Sequence, residues 1–261
     1  MQNIVERLSE IVRNAGKIML DVNGVDSSSS VSEKSGDANY VTVFDVKVQN
    51  YLMNEIKAIF PDAVFMAEEK ENDPEVLQAE RCFIIDPIDG TTNFIRGYKQ
   101  SSISLAMVSK GEVVLGIVYN PYLDELFSAT SNNGAFLNGK QIHVSSRALS
   151  EAVIGYGTCP YYKDELGKST FDNAYAIFMR CADLRRTGSA AIDLANVAAG
   201  RIDGFFEMRL SPWDIAAGYL LIKEAGGAMT DSNGEKIDFS TTSSVVAGSK
   251  TVHNDLLGLI R

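Results

Sequence analysis

The chain has few soft metal ligands: three cysteines (Cys82, Cys159, Cys181) and two histidines (His143, His253) in 261 residues. The cysteines are odd in number, widely spaced and form no Cys-x-x-Cys pair. They read as reduced, mostly buried thiols, and the inventory argues against zinc or iron–sulfur chemistry. Any metal here must be hard and held by oxygen, which points to Mg²⁺, Mn²⁺ or Ca²⁺. Also missing is an apolar run near the ~20 residues that a membrane-spanning helix needs. Glu6, Arg7, Glu10 and Arg13 interrupt the apolar N-terminus, which reads as an amphipathic helix and not a signal peptide. A cytoplasmic location with no membrane partner is the expectation. Basic charge is in deficit, 24 Lys and Arg against 34 Asp and Glu, a net charge of −10. That balance argues against non-specific binding of nucleic acid. It leaves a phosphorylated substrate open, because a bound divalent cation reverses the local field.

What is present suits a globular protein with ample core: 45% apolar and 22% charged residues. Residues 3–22 carry Ile4, Leu8, Ile11, Val12, Ala15, Ile18, Met19 and Val22 at helical spacing. A polar stretch over 24–39 reads as a surface loop. Thr42 with Asp45 forms a capping box for a second helix, whose apolar face is Phe44, Val48, Tyr51, Leu52, Ile56 and Ile59, with Pro61 beyond. Strands are predicted over 64–67, 82–85, 102–108 and 113–119, the last two joined through Lys110-Gly111, and short strands flank Asn133-Gly134 and Asn138-Gly139. The middle of the chain is thus an antiparallel meander. After about residue 150, strands (153–156, 181–185, 203–207) alternate with helices (168–181, 189–199, 214–225, 251–260), the third stopped by Gly226-Gly227. No internal repeat or domain boundary is visible, so residues 1–261 read as one layered α/β unit.

The chemistry concentrates where Ile84-Ile85 runs into Asp86-Pro87-Ile88-Asp89-Gly90-Thr91-Thr92-Asn93. Proline fixes φ and glycine frees it, so the two carboxylates sit on a backbone that cannot easily relax. Carboxylates held that close repel unless a cation lies between them. Glu68, after the strand at 64–67, and Asp214, after Trp213, could complete a site for two cations ~3.5–4 Å apart. Each piece also has a plainer reading: a turn for Asp86 to Gly90, a solvated pair for Glu68-Glu69, an N-cap for Asp214, a favourable helix-dipole acid for Asp45. The combination decides.

Ala67-Glu68-Glu69, Asp86 to Phe94, Arg185-Arg186-Thr187-Gly188-Ser189-Ala190-Ala191, Trp213-Asp214-Ile215-Ala216-Ala217-Gly218 and Glu224-Ala225-Gly226-Gly227 stand in an order that resembles the inositol monophosphatase family. Asn39 to Asp45 fits as well, and the resemblance runs from the first helix to the last. It implies an αβαβα sandwich, a homodimer, and a lithium-sensitive, Mg²⁺-dependent phosphomonoesterase with two or three ions per site, Mn²⁺ being possible. By resemblance, Glu68, Asp86 and the Ile88 carbonyl hold the first ion, and Asp86, Asp89 and Asp214 the second. Thr91 and Asp45, with Glu68, orient and deprotonate a metal-bound water that attacks phosphorus in line. Phosphate rests against the Asp89-Gly90-Thr91 amides. Gly188, Ser189, Ala190 and Glu207 meet the rest of the substrate, Glu207 by accepting hydrogen bonds from polyol hydroxyls. Lys34 resembles a loop lysine near the metals, and Arg185 and Arg186 bind substrate anions or pair with acids.

Two departures concern the substrate. Ala67 replaces the usual glycine, a small change. Arg209 follows Glu207-Met208 where many relatives carry glycine, and a cation there could favour a second anionic group, as in fructose 1,6-bisphosphate. The expected substrate is an inositol monophosphate of the myo-inositol 1-phosphate type. The alternatives are a bisphosphatase or another sugar, nucleotide or histidinol phosphatase of the same fold, and, in another class, a non-catalytic regulatory binding protein.

Overall fold

The computed structural model describes residues 2–21, 31–33 and 40–261. Most of the polar stretch, including Lys34 and Asn39, lies outside them. In chain order the elements are α1 (Gln2–Leu20), β1 (Val31–Glu33), β2 (Tyr40–Thr42), α2 (Val43–Ile59), β3 (Val64–Ala67), β4 (Cys82–Asp89) and α3 (Thr91–Ile95). The meander follows as β5 (Ser102–Ser109), β6 (Glu112–Asn120), β7 (Glu125–Thr130), β8 (Ala135–Leu137) and β9 (Lys140–Ile142). The C-terminal half comprises β10 (Val153–Tyr156), α4 (Lys163–Phe178), β11 (Asp183–Arg185), α5 (Ala190–Ala198), β12 (Gly204–Leu210), α6 (Pro212–Glu224), β13 (Ala228–Thr230), β14 (Ser243–Gly248) and α7 (Lys250–Leu257).

Two sheets stack with helices between and outside them. The seven-stranded sheet runs β3-β4-β5-β6-β7-β8-β9 and the five-stranded sheet β11-β10-β12-β14-β13. The strand period of two assigns neighbouring residues to different layers. In β4, Phe83 and Ile85 join the core under α1 and α2, while Cys82 and Ile84 join the core shared with α5 and α6. In β12, Phe205 faces that same middle core, and Phe206 faces the third core, with Ala174 and Ile177 of α4 and Val252 and Leu256 of α7. A strand buried on both faces reads as a continuous apolar run, as Cys82-Phe83-Ile84-Ile85 does. The layers are therefore α1/α2, sheet, α5/α6, sheet, α4/α7, the expected αβαβα sandwich. Among the described residues no helix is long and apolar enough to cross a membrane.

Local chemistry explains several boundaries. Lys110 and Gly111 both take positive φ, as do Asn138 and Gly139, so the hairpins β5–β6 and β8–β9 turn with the hand that strand twist requires. The middle layer is packed to backbone contact: a Cβ on Gly116 of β6 would lie 2.7 Å from the Ala217 carbonyl of α6. That approach carries the start of α6 to the end of β4. Three expectations need correction. The helix predicted over 168–181 spans Lys163–Phe178; its polar first turn, with Asp164 and Glu165 at the positive end of the dipole, shows no apolar period to read. Beyond it the Arg180 and Cys181 amides both turn back to the Ile177 carbonyl. The strands β13 and β14 were not visible in the sequence, and β14 is held by antiparallel partners on both sides. The last helix ends at Leu257, not 260.

Candidate active site

β3 ends beside the middle of β4, its parallel neighbour, with Ala67 opposite Ile85, so the next residues, Glu68 and Asp86, emerge side by side. Asn72 fixes that exit by accepting from the Ala67 amide at 2.9 Å and donating to its carbonyl at 2.8 Å. Gln49 of α2 does the same for Glu69. The Asp-Pro-Ile-Asp segment is not a free turn. β4 continues through it, with Asp86 opposite Ser104 and Asp89 opposite Ser102, and the register slips between them. A bulge is where a strand tolerates proline and re-aims its side chains. The Ile88 amide donates to Asp86 Oδ1 at 2.9 Å. Gly90, at φ 85, ends the strand and opens α3, and an added Cβ there would lie 3.0 Å from the Gln100 carbonyl and 3.1 Å from that of Gly188.

Asp86, Asp89 and Asp214 offer carboxylate oxygens within 4.8 Å of one another. Asp214 is the third residue of α6, not its N-cap, and accepts from the Ser211 amide at 2.7 Å. Asp89 is held by the start of α5: its Oδ2 accepts from Ser189 Oγ at 2.5 Å and the Ala191 amide at 2.7 Å. Ser189 and Ala190, predicted as substrate contacts, thus orient Asp89 while also lining the cavity. Burial, then the charges of Glu68 and the other aspartates, lifts the Asp86 carboxyl well above the usual range. Asp214 is lifted likewise by burial and then by Asp89 and Glu68. Burial raises Asp89 to about 6 against the pull of its Ser189 hydrogen bond. An all-oxygen set of crowded, desolvated carboxylates fits a hard divalent cation, whose charge would relieve both costs.

Asp45 lies beside this cluster, at the start of α2. The capping box forms as expected: Asp45 Oδ2 accepts from the Thr42 amide at 2.7 Å and from Thr42 Oγ1 at 2.5 Å. Its other oxygen, Oδ1, lies 3.3 Å from Thr91 Oγ1, which is also 3.1 Å from the Ile88 carbonyl. Burial raises Asp45 to about 7 despite the Thr42 bonds.

The cavity, of about 470 Å³, brings Glu68, Asp86, Ile88, Asp89, Gly90 and Thr91 together with Gly188, Ser189, Ala190, Glu207 and Asp214. Glu207, expected at a strand end, lies inside β12 and is only 7% exposed. Burial raises it to about 7, opposed by the Cys159 amide that donates to its Oε1 at 3.0 Å. Arg186 lines the cavity and its charge favours the Glu207 carboxylate. Arg185 instead pairs with Asp183 at the surface. Arg209 reaches the rim, but its guanidinium is bidentate to Glu165 at 3.0 and 2.9 Å and stacks on Tyr162. Its charge is thus already paired with an acid.

Sequence reasoning missed Asp193 and the wall formed by residues 157–162. Asp193 lines the cavity from α5 at 2% exposure, holds Thr187, and leaves Oδ1 without a protein partner; burial raises it to about 7. Its signal was a lone acid in the apolar run Ala190-Ala191-Ile192-Asp193-Leu194-Ala195. A larger groove of about 1100 Å³ runs between α1 and β6–β8. It shares no lining residue with this cavity and gathers no such acid cluster.

Comparison with known proteins agrees with this architecture. The sequence profile of the Inositol monophosphatase family matches residues 1–261. The inositol-1-monophosphatase of Rhizobium meliloti is 43% identical over 226 residues, covering 86% of this chain and 84% of that protein. The Nus factor SuhB of Escherichia coli K12 is 37% identical over 262 residues, covering 100% and 96%. The crystal structure of the extragenic suppressor protein suhB from Bartonella henselae superposes with a TM-score of 0.91 at 34% identity, covering 99% of this chain and 98% of that one. The fold, the acid cluster and the full-length match together place the chain in the inositol monophosphatase family.

Proposed function

We propose that this chain is a Mg²⁺-dependent phosphomonoesterase that hydrolyses an inositol monophosphate, of the myo-inositol 1-phosphate type, to inositol and phosphate. One observation carries the reading: three buried or half-buried carboxylates converge at the floor of a cavity whose wall holds Glu207 and Arg186. Glu68, Asp86, Asp89, Asp214 and the Ile88 carbonyl would hold the cations. Bound there, divalent cations supply charge neutralisation of the phosphate and a lower pKa for water.

The chain's own groups do the rest. Thr91 Oγ1 orients the attacking water and relays its proton to Asp45 Oδ1, 3.3 Å away. Held by the Thr42 amide and hydroxyl and facing Thr91, Asp45 is placed to take that proton. Gly90 lets the phosphate approach the backbone, and Glu207 accepts hydrogen bonds from the hydroxyls of the leaving polyol. As the P–O(water) bond forms, the P–O(ester) bond breaks and the alkoxide takes a proton from solvent. The net charge of −10 supports a small phosphate ester over a nucleic-acid backbone as the substrate. The pairing of Arg209 with Glu165 removes the reason to prefer a bisphosphate.

The test is phosphate release from inositol 1-phosphate, fructose 1,6-bisphosphate and adenosine 3′,5′-bisphosphate, with Mg²⁺ and with EDTA. Metal-dependent turnover highest on the inositol ester is expected. No metal-dependent release across the panel would sink the enzyme reading, and a preference for either bisphosphate would sink the substrate.

A further inference from the structure

Three ties join the segment 157–162 to β12. The Gly157 amide donates to the Phe206 carbonyl at 3.0 Å. The Cys159 amide donates to Glu207 Oε1 at 3.0 Å, and Cys159 Sγ to the Arg209 carbonyl at 3.6 Å. Cys159 holds φ 44, an uncommon conformation for a side chain other than glycine, and Pro160 follows. Contact with Glu207 is closer still at Gly157, where an added Cβ would fall 1.8 Å from Glu207 Oε2. The carboxylate of Glu207 therefore takes its direction from this segment.

The outer end of the segment is held by Arg209. Its guanidinium carbon lies 4.4 Å from the centre of the Tyr162 ring, and its fork grips Glu165 in the first turn of α4 at 3.0 and 2.9 Å. A planar fork that also stacks is a geometry lysine cannot reproduce. The pair is partly exposed, Arg209 at 30% and Glu165 at 59%, so it adds little to global stability. What it fixes is local: Arg209 holds Tyr162 and Glu165, these hold the segment, and the segment aims Glu207.

We propose that Arg209 is a positioning residue for substrate specificity, acting through Tyr162, Glu165 and residues 157–162 on the hydroxyl-reading carboxylate of Glu207. The inference rests on the phosphatase reading above and names what sets its selectivity. p-Nitrophenyl phosphate offers Glu207 no hydroxyl, so the ratio of kcat/KM for inositol 1-phosphate to that for p-nitrophenyl phosphate isolates the effect.

In saturating Mg²⁺, Arg209→Gly is expected to lower this ratio about 10-fold, the scale of one misdirected hydrogen bond to a charged group. Arg209→Lys should fall between it and the wild type. Glu165→Gln should lower the ratio too, and adding it to Arg209→Gly should cost little more, since both break one strut. Amide exchange over 157–162 should quicken in Arg209→Gly while the melting temperature moves by no more than a few degrees. A ratio within about twofold of wild type in Arg209→Gly or in Glu165→Gln, or unchanged exchange over the segment, overturns the inference with the phosphatase reading intact. A wild type that splits neither ester removes both.

Discussion

The crowding of buried acids gives stability a pH dependence that a divalent cation should cancel. Asp45, Asp193 and Glu207 are each raised to about 7 and Asp89 to about 6, with Asp86 and Asp214 displaced the same way. In the cation-free protein each folded carboxyl keeps a proton that the unfolded chain gives up near its ordinary value. The folded state therefore loses stability as pH rises from about 4 to 7 and levels off above. Between about pH 5.5 and about pH 7.5 one carboxyl moved from 3.8 to about 7 costs about 2 kcal/mol, or roughly 4–8 °C in a chain of this size. His253 works in the opposite sense: burial holds it below 6.5, so its contribution is lost as pH falls through that value. It is one group against several. In EDTA the melting temperature should thus be several degrees higher at about pH 5.5 than at about pH 7.5. Mg²⁺ binds the ionised carboxylates, so it should raise the melting temperature more at the higher pH and flatten or invert the order. Differential scanning calorimetry at both values, with EDTA and with Mg²⁺, reads this directly. An EDTA melting temperature that climbs with pH over this window, or a Mg²⁺ shift equal at both ends, would refute the reasoning.

The remaining predictions concern single side chains. Asp89→Asn and Asp214→Asn should each lower kcat by roughly 10³-fold while circular dichroism stays native; near-normal turnover in either variant would break the metal assignment. Thr91→Ala should lower kcat by about 10²-fold with KM little changed, and Thr91→Ser should restore most of it, because the hydroxyl and not the methyl touches Asp45. Gly116→Ala forces a Cβ to within 2.7 Å of the Ala217 carbonyl, so urea unfolding should show about 1–3 kcal/mol of lost stability. An unchanged midpoint would show that α6 can slide away from β6 without cost.

What was legible in the sequence was what local chemistry decides. The Thr42 capping box, the Lys110-Gly111 hairpin and the stop at Gly226 each depend on residues within a few positions, and each stands where expected. β13 and β14 escaped because nothing local makes them strands. Ala228–Thr230 is three residues long, and Ser243–Gly248 opens on two serines; antiparallel pairing of β14 with β12 gives them their form. The start of α4 escaped for a related reason, since its first turn is polar and its partner Arg209 lies 44 residues on.

The same division runs through the site. That Asp86, Asp89 and Asp214 cluster could be found because strand ends and a helix start bring them together in a recognisable order. Their supports could not, because they are tertiary: Gln49 on Glu69, Ser189 and Ala191 on Asp89. These supports hold carboxylates in place at the expense of placing like charges together, which folding alone would disfavour. A core selected for stability would replace Asp86 or Asp214 with a neutral side chain of similar shape. Keeping both, each with burial and neighbouring acids against it, makes sense where a cation completes the set. Arg209 shows the converse. In the sequence it is a cation beside a phosphate pocket, and only the position of Glu165 and Tyr162 turns it from a ligand for substrate into a brace for the residue that reads it.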